Sequence, residues 1–152
     1  QVSPSIFAIT KPYLSLRNFS ILSSSLVLSK ISCPIGVLGI IFEARPDVIT
    51  QISALAIKSS NAVILKGGKE SAQTNKTIMD VIQKALDKTE GFPKNAITQV
   101  FTREDVSQML EQDKFIDLII PRGGNSLVKF VKENTNTYSD CRVWLFIQLC
   151  RK

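Results

Sequence analysis

The sequence predicts an α/β fold, a mainly parallel sheet with flanking helices, over residues 33–136. Two observations carry this. First, apolar runs of strand length alternate with helical periodicity four times between Ile35 and Glu133, the pattern of βαβ units. Second, each strand is followed by a polar or glycine-bearing turn, and three of these turns carry ligand-type residues. Arg45 follows the first strand, Lys66 to Gly68 the second, and Arg122 to Gly124 the last. In an open α/β sheet the carboxyl ends of the strands share one edge, and ligands sit there. Independent turns have no reason to share that chemistry, so an edge that binds an anion or a nucleotide is expected.

Taken in order, Ile35 to Phe42 reads as a buried strand, and Glu43-Ala44-Arg45-Pro46-Asp47 as a turn broken by Pro46. Val48 to Ser59 is helical, with Ile49, Ile52 and Ala56 on the apolar face and Leu55 on its flank. Ala62 to Leu65 is a continuous apolar run, as expected of a strand covered on both faces. Lys66 stands at its end. Gly67 and Gly68 allow backbone conformations and close approaches closed to other residues. Lys69 and Glu70 then open an amphipathic helix. A lysine and two glycines there suit the phosphate or ribose of a nucleotide; the alternative is a plain turn with solvated lysines. The helix runs from Ser71 to Lys88 on a face of Ile78, Val81, Ile82, Ala85 and Leu86, with Lys84 and Lys88 near the carboxyl end, where the helix dipole favours cations. Ile97 to Phe101 is a short strand. Thr102, with Asp105 three residues on, is the expected N-cap of a helix from Arg103 to Glu111. Phe115 to Ile120 is a further strand, Pro121 to Gly124 its turn, and Asn125 to Glu133 a helix through Leu127, Val128 and Val131.

The totals narrow the function. A chain of 152 residues is long enough for one domain with a real core. The net charge of +6 is unevenly spread: the first acidic residue is Glu43, and from there lysines and carboxylates interleave. Without a basic stripe interleaved with aromatics, no nucleic-acid partner is expected. No apolar run approaches the length of a spanning helix, so no membrane partner is expected either. Cys33, Cys141 and Cys150 show no metal spacing and there is no histidine, which excludes a zinc site, a Ser-His-Asp triad and a Cys-His dyad from the expectation. An odd, unclustered cysteine count fits a reducing compartment. Residues 1–32 form a Ser/Leu-rich leader, acid-free and mildly basic. Its composition is that of a transit peptide, but Pro4 and Pro12 interrupt it, and a frayed or mistranslated end reads the same way. A cytoplasmic location is expected, with a mitochondrial one as the alternative. Residues 137–152 form a tail that does not continue the alternation.

Three stretches together carry a resemblance: P-I-G-V-L-G-I-I-F-E-A-R-P-D-V at Pro34–Val48, L-K-G-G-K-E at Leu65–Glu70, and I-D-L-I-I-P-R-G-G-N-S-L-V at Ile116–Val128. In this order and spacing, from about Leu28 to Asn136, the chain resembles gamma-glutamyl phosphate reductase, also called glutamate-5-semialdehyde dehydrogenase. That domain also forms the carboxyl half of pyrroline-5-carboxylate synthase. The resemblance implies the aldehyde dehydrogenase superfamily, with residues 33–136 as part of its Rossmann-like NADP-binding domain. It implies reduction of gamma-glutamyl phosphate, a small-molecule substrate, by NADPH in proline biosynthesis, and a homo-oligomer at full length. Carried over by position, Lys66 looks like the lysine that reaches the adenosine ribose and its 2′-phosphate. Lys69 would add a second charge there, favouring NADP over NAD. Gly67, Gly68 and Glu70 complete that motif. Gly123 and Gly124 match the turn and helix start that face the pyrophosphate, and Arg122 is this family's version of that turn. Arg45 stands where typical aldehyde dehydrogenases place an oxyanion-holding asparagine. It is the candidate for holding the acyl phosphate or oxyanion; alternatively it pairs with Glu43 or Asp47 and shapes the turn.

The family's chemistry needs a nucleophilic cysteine that lies beyond the matched region. Cys141 and Cys150 fall in the tail with no family motif around them, and Cys33 reads as a small buried or partly buried side chain. No catalytic residue is therefore assigned. The chain reads as a truncated cofactor domain, inactive alone. The alternatives are a nucleotide-binding or interaction module that has lost its chemistry, and a non-functional truncated gene product.

Overall fold

The computed structural model describes residues 15–23, 26–137 and 139, with side chains from residue 33 onward. Two strands, β1 (Ser15–Ser23) and β2 (Leu26–Ser32), pair antiparallel as a sheet of their own, in a region where the sequence predicts no element. The rest alternates: β3 (Val37–Phe42), α1 (Asp47–Lys58), β4 (Ala62–Lys66), α2 (Ala72–Asp87), β5 (Ile97–Gln99), α3 (Arg103–Leu110), β6 (Leu118–Arg122) and α4 (Asn125–Asn134). The four later strands form one parallel sheet in the order β5-β4-β3-β6. The predicted α/β class and parallel sheet are thus borne out.

The chain winds outward from β3 through β4 to β5, then returns to place β6 on the other side of β3. The return puts the helices on both faces, as right-handed crossovers require. On one face Leu38, Ile40, Phe42, Val63, Leu65, Leu118 and Ile120 meet α1 (Val48, Ile49, Ile52, Ala56) and α2 (Met79, Leu86). On the other, Val37, Ile41, Ile64 and Ile119 meet α3 (Val106, Met109, Leu110) and α4 (Val131). The alternation along β3 has the strand period of two, and both sets are buried. That is why the strands read as unbroken apolar runs rather than as alternating ones. Each fully buried aliphatic side chain contributes about 2 kcal/mol.

The boundaries differ from expectation in instructive places. Ile35 and Phe115, predicted inside strands, lie outside them and are half exposed. β6 runs on through Pro121 to Arg122, where the sequence predicts a turn. The Arg122 carbonyl accepts from the Glu43 N–H, so the neighbouring Pro121 turns its missing donor away from β3, where it costs the β3–β6 ladder nothing. α2 begins at Ala72, leaving Lys69 and Glu70 in the preceding turn, and its buried face is Asn75, Met79 and Leu86. Val81 and Ala85, predicted on that face, are exposed. In the predicted tail, Ser139 bridges to Ile119 in the parallel sense. Cys141 and Cys150 lie outside the described residues.

The N-terminus of α3 is as expected. Thr102 Oγ1 accepts from the Asp105 N–H at 3.0 Å, and Asp105 Oδ2 accepts from the Thr102 N–H at 2.9 Å and the Phe101 N–H at 3.2 Å. The Thr102 backbone donor first, then its side chain and the Phe101 N–H, hold the Asp105 carboxyl below its usual 3.8. A lowered carboxylate stabilises the fold above that ordinary value, and the contribution fades as pH falls through the lowered folded value. Amide protection factors across Val106–Leu110, taken relative to the intrinsic exchange rate at each pH, should therefore fall on acidification below about pH 4, and Asp105→Asn should flatten that dependence. An unchanged pH profile in the variant would remove the cap as its cause.

Candidate functional site

Every ligand-type residue predicted from the turns lies at the carboxyl edge of the sheet. The winding reverses between β3 and β6, so the crevice outside their carboxyl ends is the switch point where α/β sheets bind ligands. Phe42 and Arg122 are register partners, which sets the Glu43–Arg45 turn beside the Arg122–Gly124 turn. Glu43 Oε2 accepts from the Gly124 N–H at 3.0 Å. Gly124 is the N-cap of α4, so a protein carboxylate supplies the negative charge that the helix dipole favours. A Cβ on Gly123 would collide with that carboxylate, which explains glycine there.

The same crevice is rich in positive charge. Burial first, and then the charge of Arg45, lowers the pKa of Arg122 below its ordinary value, while Asp47 acts in the opposite sense. Arg122 nevertheless stays a cation at neutral pH. Arg45 is exposed and has no ion pair within 4.0 Å among the described residues. Its two expected alternative partners are engaged elsewhere, Glu43 with Gly124 and Asp47 with Gln51 Nε2 at 3.0 Å. Between Glu43 and Arg45, Ala44 holds a left-handed φ of 49°. That conformation costs a non-glycine residue about 1 kcal/mol, and such strain gathers at binding turns.

The β4 end forms the other half of the edge. Lys66, half-buried, closes the strand opposite Ile41, while Lys69 and Glu70 are exposed in the turn before α2. Gly67 sits against Asn75 and the Phe42 ring, and a Cβ at Gly68 would crowd the Glu70 carboxylate and the Ala44 backbone nitrogen. These contacts, rather than unusual dihedrals, require the two glycines. Beside them opens a cleft of about 80 Å³ lined by Gly67, Gly68, Lys69, Asn75, Gln99 and Phe101, among others. Asn75 and Gln99 were missed in the sequence. Asn75 falls on the apolar face of a helix and Gln99 in a strand, and neither stands in a recognisable motif. The described cysteine, Cys33, is exposed rather than buried, and it precedes the amino end of β3. Among the described residues no group of acidic, histidine or cysteine side chains could hold a metal ion. No helix among them is long and apolar enough to cross a membrane.

No family model matches the chain. The fold is that of the aldehyde dehydrogenases. A propionaldehyde dehydrogenase from Rhodopseudomonas palustris superposes with a TM-score of 0.67 at 19% identity, over 83% of this chain and 28% of that one. An engineered glycolyl-CoA reductase with bound NADP+ does so with 0.67 at 22%, over 83% and 28%. Both are likenesses of fold. Within that fold the similarity is to gamma-glutamyl phosphate reductase, as the three motifs predict. The enzyme of that name from Brachyspira hyodysenteriae is 63% identical over 115 residues, 76% of this chain and 27% of the relative. The crystal structure of gamma-glutamyl phosphate reductase from Thermotoga maritima matches with a TM-score of 0.70 at 31% identity, over 89% of this chain and 33% of that one. The chain thus spans about a quarter of the length of the curated relatives it matches.

Proposed function

We propose that this chain carries the NADPH-binding part of a gamma-glutamyl phosphate reductase, an oxidoreductase acting on a small-molecule acyl phosphate in proline biosynthesis. The observation that carries the proposal is the single sheet edge on which Lys66, the Gly67–Gly68 pair, Lys69 and the Arg122–Gly124 turn converge. The residues present fit the cofactor. A cleft opens beside the glycine turn, lined by Gly67, Gly68 and Lys69, and Lys66 closes the strand that leads into it. In this reading Lys66 and Lys69 take the adenosine ribose and its 2′-phosphate, with Gly67, Gly68 and Glu70 shaping the loop. Arg122, Gly123 and Gly124 face the pyrophosphate. When bound, the cofactor supplies hydride. Arg45 holds the acyl phosphate or the developing oxyanion, for which a guanidinium without an ion pair in a cationic crevice is suited.

A second reading, nucleotide binding without chemistry by this chain alone, is favoured by one observation. Among the described residues the one cysteine precedes β3 at the edge opposite the cleft. Both readings are tested by titrating the 152-residue chain with NADPH and NADH, followed by nicotinamide fluorescence. NADPH should bind at least about tenfold more tightly, the worth of one added charge-assisted contact. Lys69→Ala should erase most of that preference. Equal affinity for the two cofactors would refute the assignment of the lysines, and absence of binding would refute the nucleotide reading.

A further inference from the structure

Among the described residues, two that line the cleft bury a side-chain acceptor without a hydrogen-bond partner. Asn75 is 1% exposed. Its Nδ2 donates to Ser71 Oγ at 3.1 Å, while its Oδ1 has no hydrogen-bond partner among the described residues. Gln99, the last residue of β5, has its Oε1 in the same condition. Both residues line the cleft beside Gly67, Gly68 and Lys69. A buried acceptor left unpaired costs about 1–3 kcal/mol, so two in one cleft form a deficit that a donor group would relieve.

We infer that Asn75 and Gln99 form an acceptor floor that selects its ligand by a hydrogen-bond donor on the adenosine, beside the phosphate held by Lys66 and Lys69. The inference rests on the nucleotide reading above. The floor and the rim want opposite chemistry. A phosphate or carboxylate brings only acceptors and would be turned away from Asn75 Oδ1 and Gln99 Oε1, yet it suits the Lys69 ammonium. A phosphorylated nucleoside carries both kinds of group a few bonds apart. A volume of about 80 Å³ seats one edge of such a ligand rather than the whole of it, since ligand pockets usually run from about 300 Å³ upward. Two donors fit the description, a ribose hydroxyl and the exocyclic amine of adenine.

The test compares NADPH with two analogues on the 152-residue chain, by titration calorimetry. In one analogue the adenine amine is replaced by hydrogen; in the other the adenosine 3′-hydroxyl is. One of the two should bind about tenfold more weakly than NADPH, the worth of one hydrogen bond to a buried group, and which one names the donor. Gln99→Leu should weaken NADPH by a similar factor and no longer distinguish it from that analogue. If both analogues bind the unaltered chain as NADPH does, the floor is satisfied without the ligand and the inference falls while the nucleotide reading stands. If Gln99→Leu keeps the full discrimination, Gln99 is not the reader and the inference likewise falls. If NADPH itself does not bind, both fall together.

Discussion

Replacing Asn61 with alanine is expected to cost about 3 kcal/mol. Asn61 is 7% exposed in the turn between α1 and β4. Its Oδ1 accepts from the Ile35 N–H at 2.7 Å and the Gly36 N–H at 2.9 Å, and its Nδ2 donates to Ser59 Oγ at 2.7 Å. One side chain therefore ties the chain entering β3 to the turn entering β4, where Ser60 is held at a left-handed φ of 57°. Removing it leaves two part-buried backbone donors unpaired, each worth about 1–3 kcal/mol. The measurement is the urea midpoint of Asn61→Ala beside that of Asn61→Asp, which keeps both acceptor contacts and loses only the Ser59 bond. The aspartate variant should recover more than half of the loss at neutral pH. Equal losses in the two variants would show that the backbone contacts are not what Asn61 provides.

Gly67→Ala is expected to cost about 2 kcal/mol and to abolish tight NADPH binding, both for the same reason. A Cβ there would collide with Asn75 Nδ2 and come within 3.1 Å of the Phe42 ring. Neither neighbour can yield, since both are 1% exposed. Overpacking a site of this kind costs about 1–3 kcal/mol. The strain falls on the loop that carries Lys66 and Lys69, so binding should suffer beyond the loss in stability. Gly124→Ala is the control. Its nearest neighbour to a new Cβ is Ser126 Oγ at 3.8 Å, an ordinary contact, and the change should stay within about 0.5 kcal/mol. The check is denaturant unfolding of both variants together with NADPH titration. Equal costs at the two glycines would mean that close packing is not what requires Gly67.

What the sequence by itself determined is what local physics decides. Apolar runs of strand length followed by helical periods place β3, α1, β4, α2, β5, α3, β6 and α4 in order. The side chain of Thr102 and the carboxylate of Asp105, three residues apart, are enough to start α3. Parallel strands have their carboxyl ends together, so Arg45, Lys66 and Arg122 could be placed on one edge without knowing which strands are neighbours. The tertiary structure decided everything that depends on partners far along the chain. Strand order is one such thing: nothing local says that β6 returns beside β3, and it is this return that lets Glu43 reach the Gly124 N–H, 81 positions away. The rotation of α2 is another. A helical period marks an apolar stripe, but which side is buried depends on α1 and the β4 end. They turn Met79 and Asn75 inward and leave Val81 63% exposed. Asn75 and Gln99 are ordinary polar residues in the sequence. They come to line one cleft, each with a buried amide oxygen that lacks a partner among the described residues, only because α2 and β5 meet beside the end of β4.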